Sequence, residues 1–157
     1  MSVIFTVGHS SHKINHFLKL LQMHSVNCLI DVRSRPYSKY APQFNMDKIQ
    51  DILNNNHIHY IFMGKELGAK REDRTLYTSE GYLDFEKVRE TSLFISGIDR
   101  IKNGLEKGYN IALMCTEKDP IDCHRNILVA RELYKHNYSI KNGYPSHRVG
   151  LSLSHYD

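Results

Sequence analysis

Cys115 closes an apolar run, and seven residues separate it from a second thiol, Cys123, which is followed at once by His124 and Arg125 (ALMCTEKDPIDCHRNILVARELY, residues 112–134). Glu117 lies between the two thiols, and a helical pattern begins directly after them. Two thiols, a carboxylate, an imidazole and a guanidinium are thus gathered at one strand-to-helix turn. With a helix starting near Asp122, the N–H groups of its first turn have no intrahelical partners and carry the positive end of the macrodipole. Such a turn binds phosphate or sulfate, and Arg125 would add a bidentate clamp. The same field favours the thiolate of Cys123 over its thiol. The competing reading is a buried, inert Cys123 beside a solvated His124 and Arg125.

Cys115 alone reads as a small hydrophobe at a strand end. Paired with Cys123, it is a candidate resolving thiol or ligand. Cys115, Glu117, Cys123 and His124 offer metal donors, but there is no C-x-x-C knuckle and no second pair, so no metal site is expected. Cys28 lies within an apolar strand and belongs to the core. The identity of any cofactor is left open by the sequence.

Three further stretches carry polar groups. In Asp31-Val32-Arg33-Ser34-Arg35-Pro36, Asp31 ends an apolar run, where a carboxylate needs a partner; Arg33 or Arg125 could supply it. Either this is a structural ion pair orienting the loop, or Asp31 positions an arginine that holds an anion. In Gly8-His9-Ser10, His9 is a candidate general acid or base beside Gly8 and Ser10. Within the long stretch 64–83, Leu67–Arg74 reads as a mobile charged lid or a binding loop; the basic residues of 64–83, with Tyr77 and Tyr82, are also suited to nucleic acid. There is no GxGxxG, Walker A, HExxH or GxSxG pattern. A rhodanese or tyrosine-phosphatase loop would need an arginine six residues after Cys115, where Ile121 stands.

The elements that must position these groups alternate. Strands are expected over Ser2–Val7, Asn27–Val32, Ile58–Met63 and Tyr109–Met114, with a fifth starting at Tyr138–Ile140. Helices are expected after a Ser11 cap (Ile14, Phe17, Leu18 and Leu21 on one face), over Met46–Asn55, over Asp84–Lys107 with a break near Gly97, and over Asp122–His136. Near-continuous apolar strands alternating with helices predict a mainly parallel sheet flanked by helices, a single compact three-layer α/β domain over 1–157. In such sheets ligands bind at the carboxyl ends of the strands. The polar stretches all fall there.

The chain has 157 residues and a formal charge of +4, with no Lys/Arg block of five or more, so it lacks the footprint of a dedicated DNA-binding tail. No run approaches the roughly 18 apolar residues of a membrane span, and MSVIFTVGHSS does not read as a signal peptide. A cytoplasmic protein without membrane association is expected.

The combination of TVGHSSHKINHFLKLL, LIDVRSRPYSKYAPQFN, ELG and ALMCTEKDPIDCHR resembles the bacterial and archaeal family known as domain of unknown function 488, over roughly residues 3–136. The resemblance implies a compact α/β domain with a parallel sheet and implies no established activity. Its motif residues here are Gly8, His9, Ser10, Asp31, Arg33, Ser34, Pro36, Pro42, Phe44, Cys115, Glu117, Cys123, His124 and Arg125. The tail from 140 onward resembles the family less.

The leading expectation is a pocket for a phosphate-bearing or other anionic ligand, possibly a nucleotide. Arg33, Arg125 and the helix start would hold the anion with Gly8, Ser10, Ser34, Cys115 and His124 around it. Cys123 or His9 would react, and Glu117 and Asp31 would orient. The alternatives are a nucleic-acid-associated protein using the basic 64–83 segment, and a thiol redox or metal module on Cys115 and Cys123.

Overall fold

The computed structural model describes residues 3–9, 13–115, 124–136 and 138–142. Five strands, β1 (Val3–Gly8), β2 (Cys28–Asp31), β3 (His59–Phe62), β4 (Ile111–Cys115) and β5 (Ser139–Asn142), form one sheet in the order β3-β2-β4-β1-β5. Every neighbouring pair is parallel. All residues of β2 and β4 are buried, which is why CLID and IALMC carry no polar alternation until the final Asp31.

Six helices are described: α1 (Ile14–Met23), α2 (Met46–Asn55), α3 (Gly64–Leu67), α4 (Phe85–Arg89), α5 (Ser92–Glu106) and α6 (His124–Lys135). Strand side chains alternate in direction, so the sheet feeds two cores. On one face Val7, Leu29, Ala112 and Met114 meet Phe17 and Leu21 of α1 and Ile49 and Leu53 of α2. On the other, Ile4, Ile30, Leu113 and Cys115 meet Ile98 and Ile101 of α5 and Val129 and Leu133 of α6. The result is the helix–sheet–helix α/β domain expected from the alternation of elements.

The covering order sets where the connections part. β1 continues through α1 toward β2 on one face. Its neighbour β4 continues through α6 toward β5 on the opposite face. β2, on the other side of β4, likewise continues through α2 on the α1 face, so the carboxyl ends of β1 and β4, and equally of β2 and β4, are topological switch points, where open α/β sheets bind ligands. Among the described residues, no helix is long and apolar enough to cross a membrane.

Three local expectations are corrected or fall elsewhere. The helix expected over Asp84–Lys107 breaks at Glu90–Thr91, not at Gly97. Asp84 caps α4 by accepting the N–H groups of Glu86 and Lys87, and Thr91 caps α5 by accepting the N–H of Phe94 at 3.2 Å. Gly97 lies inside α5, where a Cβ would stand 2.8 Å from that of Glu66, so it permits close packing on α3. The Ser11 cap lies outside the described residues; α1 begins after Lys13 with no side-chain cap bond. Segment 64–83 is built from α3, a 3-10 turn (Arg74–Leu76) and an antiparallel bridge between Tyr77 and Leu83, with Leu67 and Leu76 in the core.

Candidate functional site

Asp31 ends β2, locked between its neighbours: Met63 donates its N–H to the Asp31 carbonyl at 2.8 Å, and Val32 donates to the Met114 carbonyl at 3.1 Å. Its side chain is fully buried. A carboxylate there needs a cation and filled hydrogen bonds. Arg33 supplies both: Nε donates to Oδ1 at 2.9 Å, Nη2 to Oδ2 at 2.8 Å, and its backbone N–H to Oδ1 at 3.0 Å. From β3, Tyr60 donates its hydroxyl to Oδ2 at 2.5 Å. Burial, then the charge of Asp31, hold this phenol well above the usual tyrosine range, so it remains a donor.

The far side of the Arg33 fork is also occupied. Nη2 donates to the Phe44 carbonyl at 2.8 Å, in the 3-10 turn Pro42–Phe44, and Nη1 lies 3.3 Å from Nε2 of His9. Arginine has no acceptor. In this contact Nε2 of His9 therefore accepts, and the ring proton sits on Nδ1. The imidazole stacks on Phe44 with centroids 4.6 Å apart, and Phe44 meets Phe17 edge-on at 5.0 Å. His9 is held by a ring on one face and a guanidinium at one nitrogen.

The structure thus brings together His9, Asp31 and Arg33, but not as an open anion clamp. Arg33 is 2% exposed and its charge is balanced by Asp31. Four of the five N–H groups of the Arg33 side chain are directed at Asp31, Phe44 and His9. Asp31 holds the Arg33 guanidinium through two side-chain hydrogen bonds. Gly8 is in register with Cys115, and the His9 N–H donates to the Cys115 carbonyl at 3.0 Å, so both stand at the β1–β4 switch point. The Cys115 side chain is buried in the α5–α6 core, across the sheet from the Asp31–Arg33 pair. Ser34 accepts the backbone N–H of Lys70 at 2.9 Å and pins a second loop. Ser10, Glu117 and Cys123 lie outside the described residues, as do the side chains of His124 and Arg125 and the expected helix start at Asp122; the described part of α6 runs from His124. Cys28 is in the core, and burial pushes its thiol up to about 11. Among the described residues, no group of three or more His, Cys, Asp or Glu could hold a metal ion.

Reading from the sequence overlooked Tyr60 and the Phe44 carbonyl. The signal for Tyr60 was a tyrosine inside a strand, whose hydroxyl needs a partner when its ring packs inward. Also overlooked was how closely the loop after β2 lies on α3. A Cβ at Gly64 would stand 2.1 Å from the Arg33 carbonyl, and one at Gly68 would stand 2.3 Å from both the Gly64 carbonyl and Ser34 Oγ. This approach sets Arg35 beside the segment after α3. A hollow of about 840 Å3 there includes Arg35, Lys65 and Lys70 in its lining, and a second, of about 990 Å3, is lined by Arg35, Lys70, Arg71, Arg74, Tyr77 and Tyr82 among others. Arg71 donates to the carbonyls of Lys65 and Glu66 at 3.0 and 2.6 Å, and its burial lowers its pKa.

No curated protein and no solved structure matches the chain. The family model described as domain of unknown function DUF488 matches residues 13–131, a span that takes in Asp31, Arg33, Tyr60, both close-packed glycines and Cys115. With most of its length matched, and with the parallel α/β sheet that the resemblance implied, the chain belongs to the DUF488 family.

Proposed function

We propose that the carboxyl edge of the sheet at β1 and β4 binds a small phosphate-bearing or otherwise anionic ligand, with a nucleotide as one member of that class. The observation that carries this reading is the placement of His9. It stands at the β1–β4 switch point, bonded through its backbone to the end of β4, and Arg33 fixes its ring proton on Nδ1. Its ring is thereby oriented at the carboxyl edge of the sheet by the Arg33 guanidinium and the Phe44 ring. By sequence, Cys123, His124 and Arg125 enter the same edge at the start of α6, a helix of twelve residues whose first N–H groups favour an anion.

In this reading Arg125 and the first turn of α6 hold the charge. Cys123 or His9 is the reacting group, Glu117 orients it, and Asp31 acts through Arg33 as a positioning residue. Calorimetric titration with inorganic pyrophosphate tests it. Wild-type protein is expected to bind, and Arg125→Ala to bind at least about tenfold more weakly, the loss of one charge-assisted contact. Equal affinity in the two proteins, or no heat with either, ends this reading.

A further inference from the structure

We propose a second site, separate from the β1–β4 switch point: the trough along the β2–β3 edge binds single-stranded nucleic acid. The two hollows of about 990 and 840 Å3 share Arg35, Lys70, Arg71 and Glu72, so they form one continuous depression. Its cations come from different segments: Arg35 from the loop after β2, Lys65 from α3, and Lys70, Arg71 and Arg74 from the stretch that follows. The outer hollow is the more one-sided, with Arg35, Lys70, Arg71 and Arg74 against Glu72 alone. Glu90 and Asp73 line only the inner one, and Asp73 spends an oxygen on the N–H and hydroxyl of Thr75 at 2.9 and 2.7 Å.

The backbone under these cations is fixed. Ser34 accepts the Lys70 N–H, Gly68 lies directly on Ser34, and Arg71 is tied to two carbonyls of α3. Arg35 and Lys70 therefore emerge side by side from braced loops with exposed side chains. Among the described residues, Arg35, Lys70 and Arg74 enter no ion pair. This is how a protein meets a phosphate backbone without reading sequence.

An aromatic ring stands at the outer end. Tyr82 is 70% exposed. It is held on a tight turn in which Thr78 donates its N–H to the Tyr82 carbonyl at 2.6 Å, Tyr82 donates to Thr78 Oγ1 at 3.1 Å, and Gly81 takes φ +92°. A ring presented on an ordered turn beside a row of cations is a stacking platform for an unpaired base. A duplex buries its base faces and has nothing to stack on it. A lone mononucleotide is better served by an enclosed pocket than by an open trough.

The test uses the full chain and a labelled oligo(dT) of about 12 nucleotides, read by fluorescence anisotropy from about 50 mM salt upward. Binding is expected, with a log–log salt slope near −2 for about three phosphate contacts. Tyr82→Ala should weaken it about tenfold with the slope unchanged. Arg35→Ala with Lys70→Ala should take the slope to about −1 or shallower. Arg125→Ala should leave oligonucleotide affinity alone. The proposal is overturned by no binding at low salt, by a duplex that binds as well as the single strand, or by wild-type affinity in both trough variants. A loss confined to Arg125→Ala would seat the strand at the switch point and would equally overturn it.

Discussion

Arg33 and Asp31, two residues apart in the chain, form a two-pronged ion pair wholly inside the protein, with N–O distances of 2.9 and 2.8 Å. The pair is also a junction. Through Asp31 it reaches Tyr60 on β3; through Arg33 it reaches the Phe44 carbonyl and the His9 ring. A buried pair is weak evidence of net stability, since desolvation offsets much of the attraction. Its consequence here is geometric: it fixes the loop that carries Ser34 and Arg35, and it fixes the tautomer of His9.

Arg33→Met leaves the Asp31 charge buried without its partner. The expected loss is about 3–5 kcal/mol in urea unfolding. Arg33→Lys should recover only part of this, because an ammonium cannot serve both carboxylate oxygens, the Phe44 carbonyl and His9 together. Adding Asp31→Leu to Arg33→Met should restore most of the loss. A single-variant loss below about 1 kcal/mol would contradict the role assigned to the pair.

Gly64→Ala puts a Cβ 2.1 Å from the Arg33 carbonyl and 2.4 Å from the Phe62 ring. The carbonyl belongs to a residue held at its side chain by three partners, so it cannot retreat cheaply. A destabilisation of roughly 1–3 kcal/mol is expected, together with weaker oligonucleotide binding as the 33–35 loop shifts. Wild-type thermal stability in this variant would show that the loop is looser than the close approach implies.

Burial pushes the Cys28 thiol up to about 11. The unfolded chain releases that proton near about 8.5. The folded pKa is the higher one, so the stabilising contribution is complete below the unfolded value and is lost as pH rises toward 11. The total is on the order of 3 kcal/mol. Cys28→Val, which keeps the volume and removes the thiol, should flatten this part of the stability–pH curve. The comparison is chemical denaturation of both proteins between pH 8 and 11; parallel curves would count against it.

Alkylation of the folded protein at mildly alkaline pH should discriminate among the three thiols. Cys28 and Cys115 are both buried and should resist iodoacetamide until unfolding. Cys123, next to the start of α6, should react first, as read by peptide mass spectrometry. A Cys123 as slow as Cys28 would remove the thiol from the proposed chemistry and leave His9 as the reacting group.

Much of the architecture was set by the sequence itself. The apolar runs at Cys28–Ile30 and Ile111–Cys115 admit no solvent on either face, and this requires a parallel sheet with helices on both sides. The spacing of Ile49 and Leu53 places α2, whose bounds match the expected Met46–Asn55. The grouping of polar residues just past strand ends pointed to the carboxyl edge. Periodicity is local, however: it says which way a side chain turns and not what it meets. That Arg33 turns inward depends on Tyr60, twenty-nine residues beyond Asp31, and on a Phe44 carbonyl that has no signature of its own. The trough depends on Ser34 meeting Lys70 across thirty-six positions, through an approach that only glycine at 68 permits. The strand order β3-β2-β4-β1-β5 decided these meetings by setting β2 between β3 and β4 and placing β1 next to β4. Tertiary packing therefore set Arg33 inside the protein, paired with Asp31, and gathered the exposed cations on the neighbouring edge.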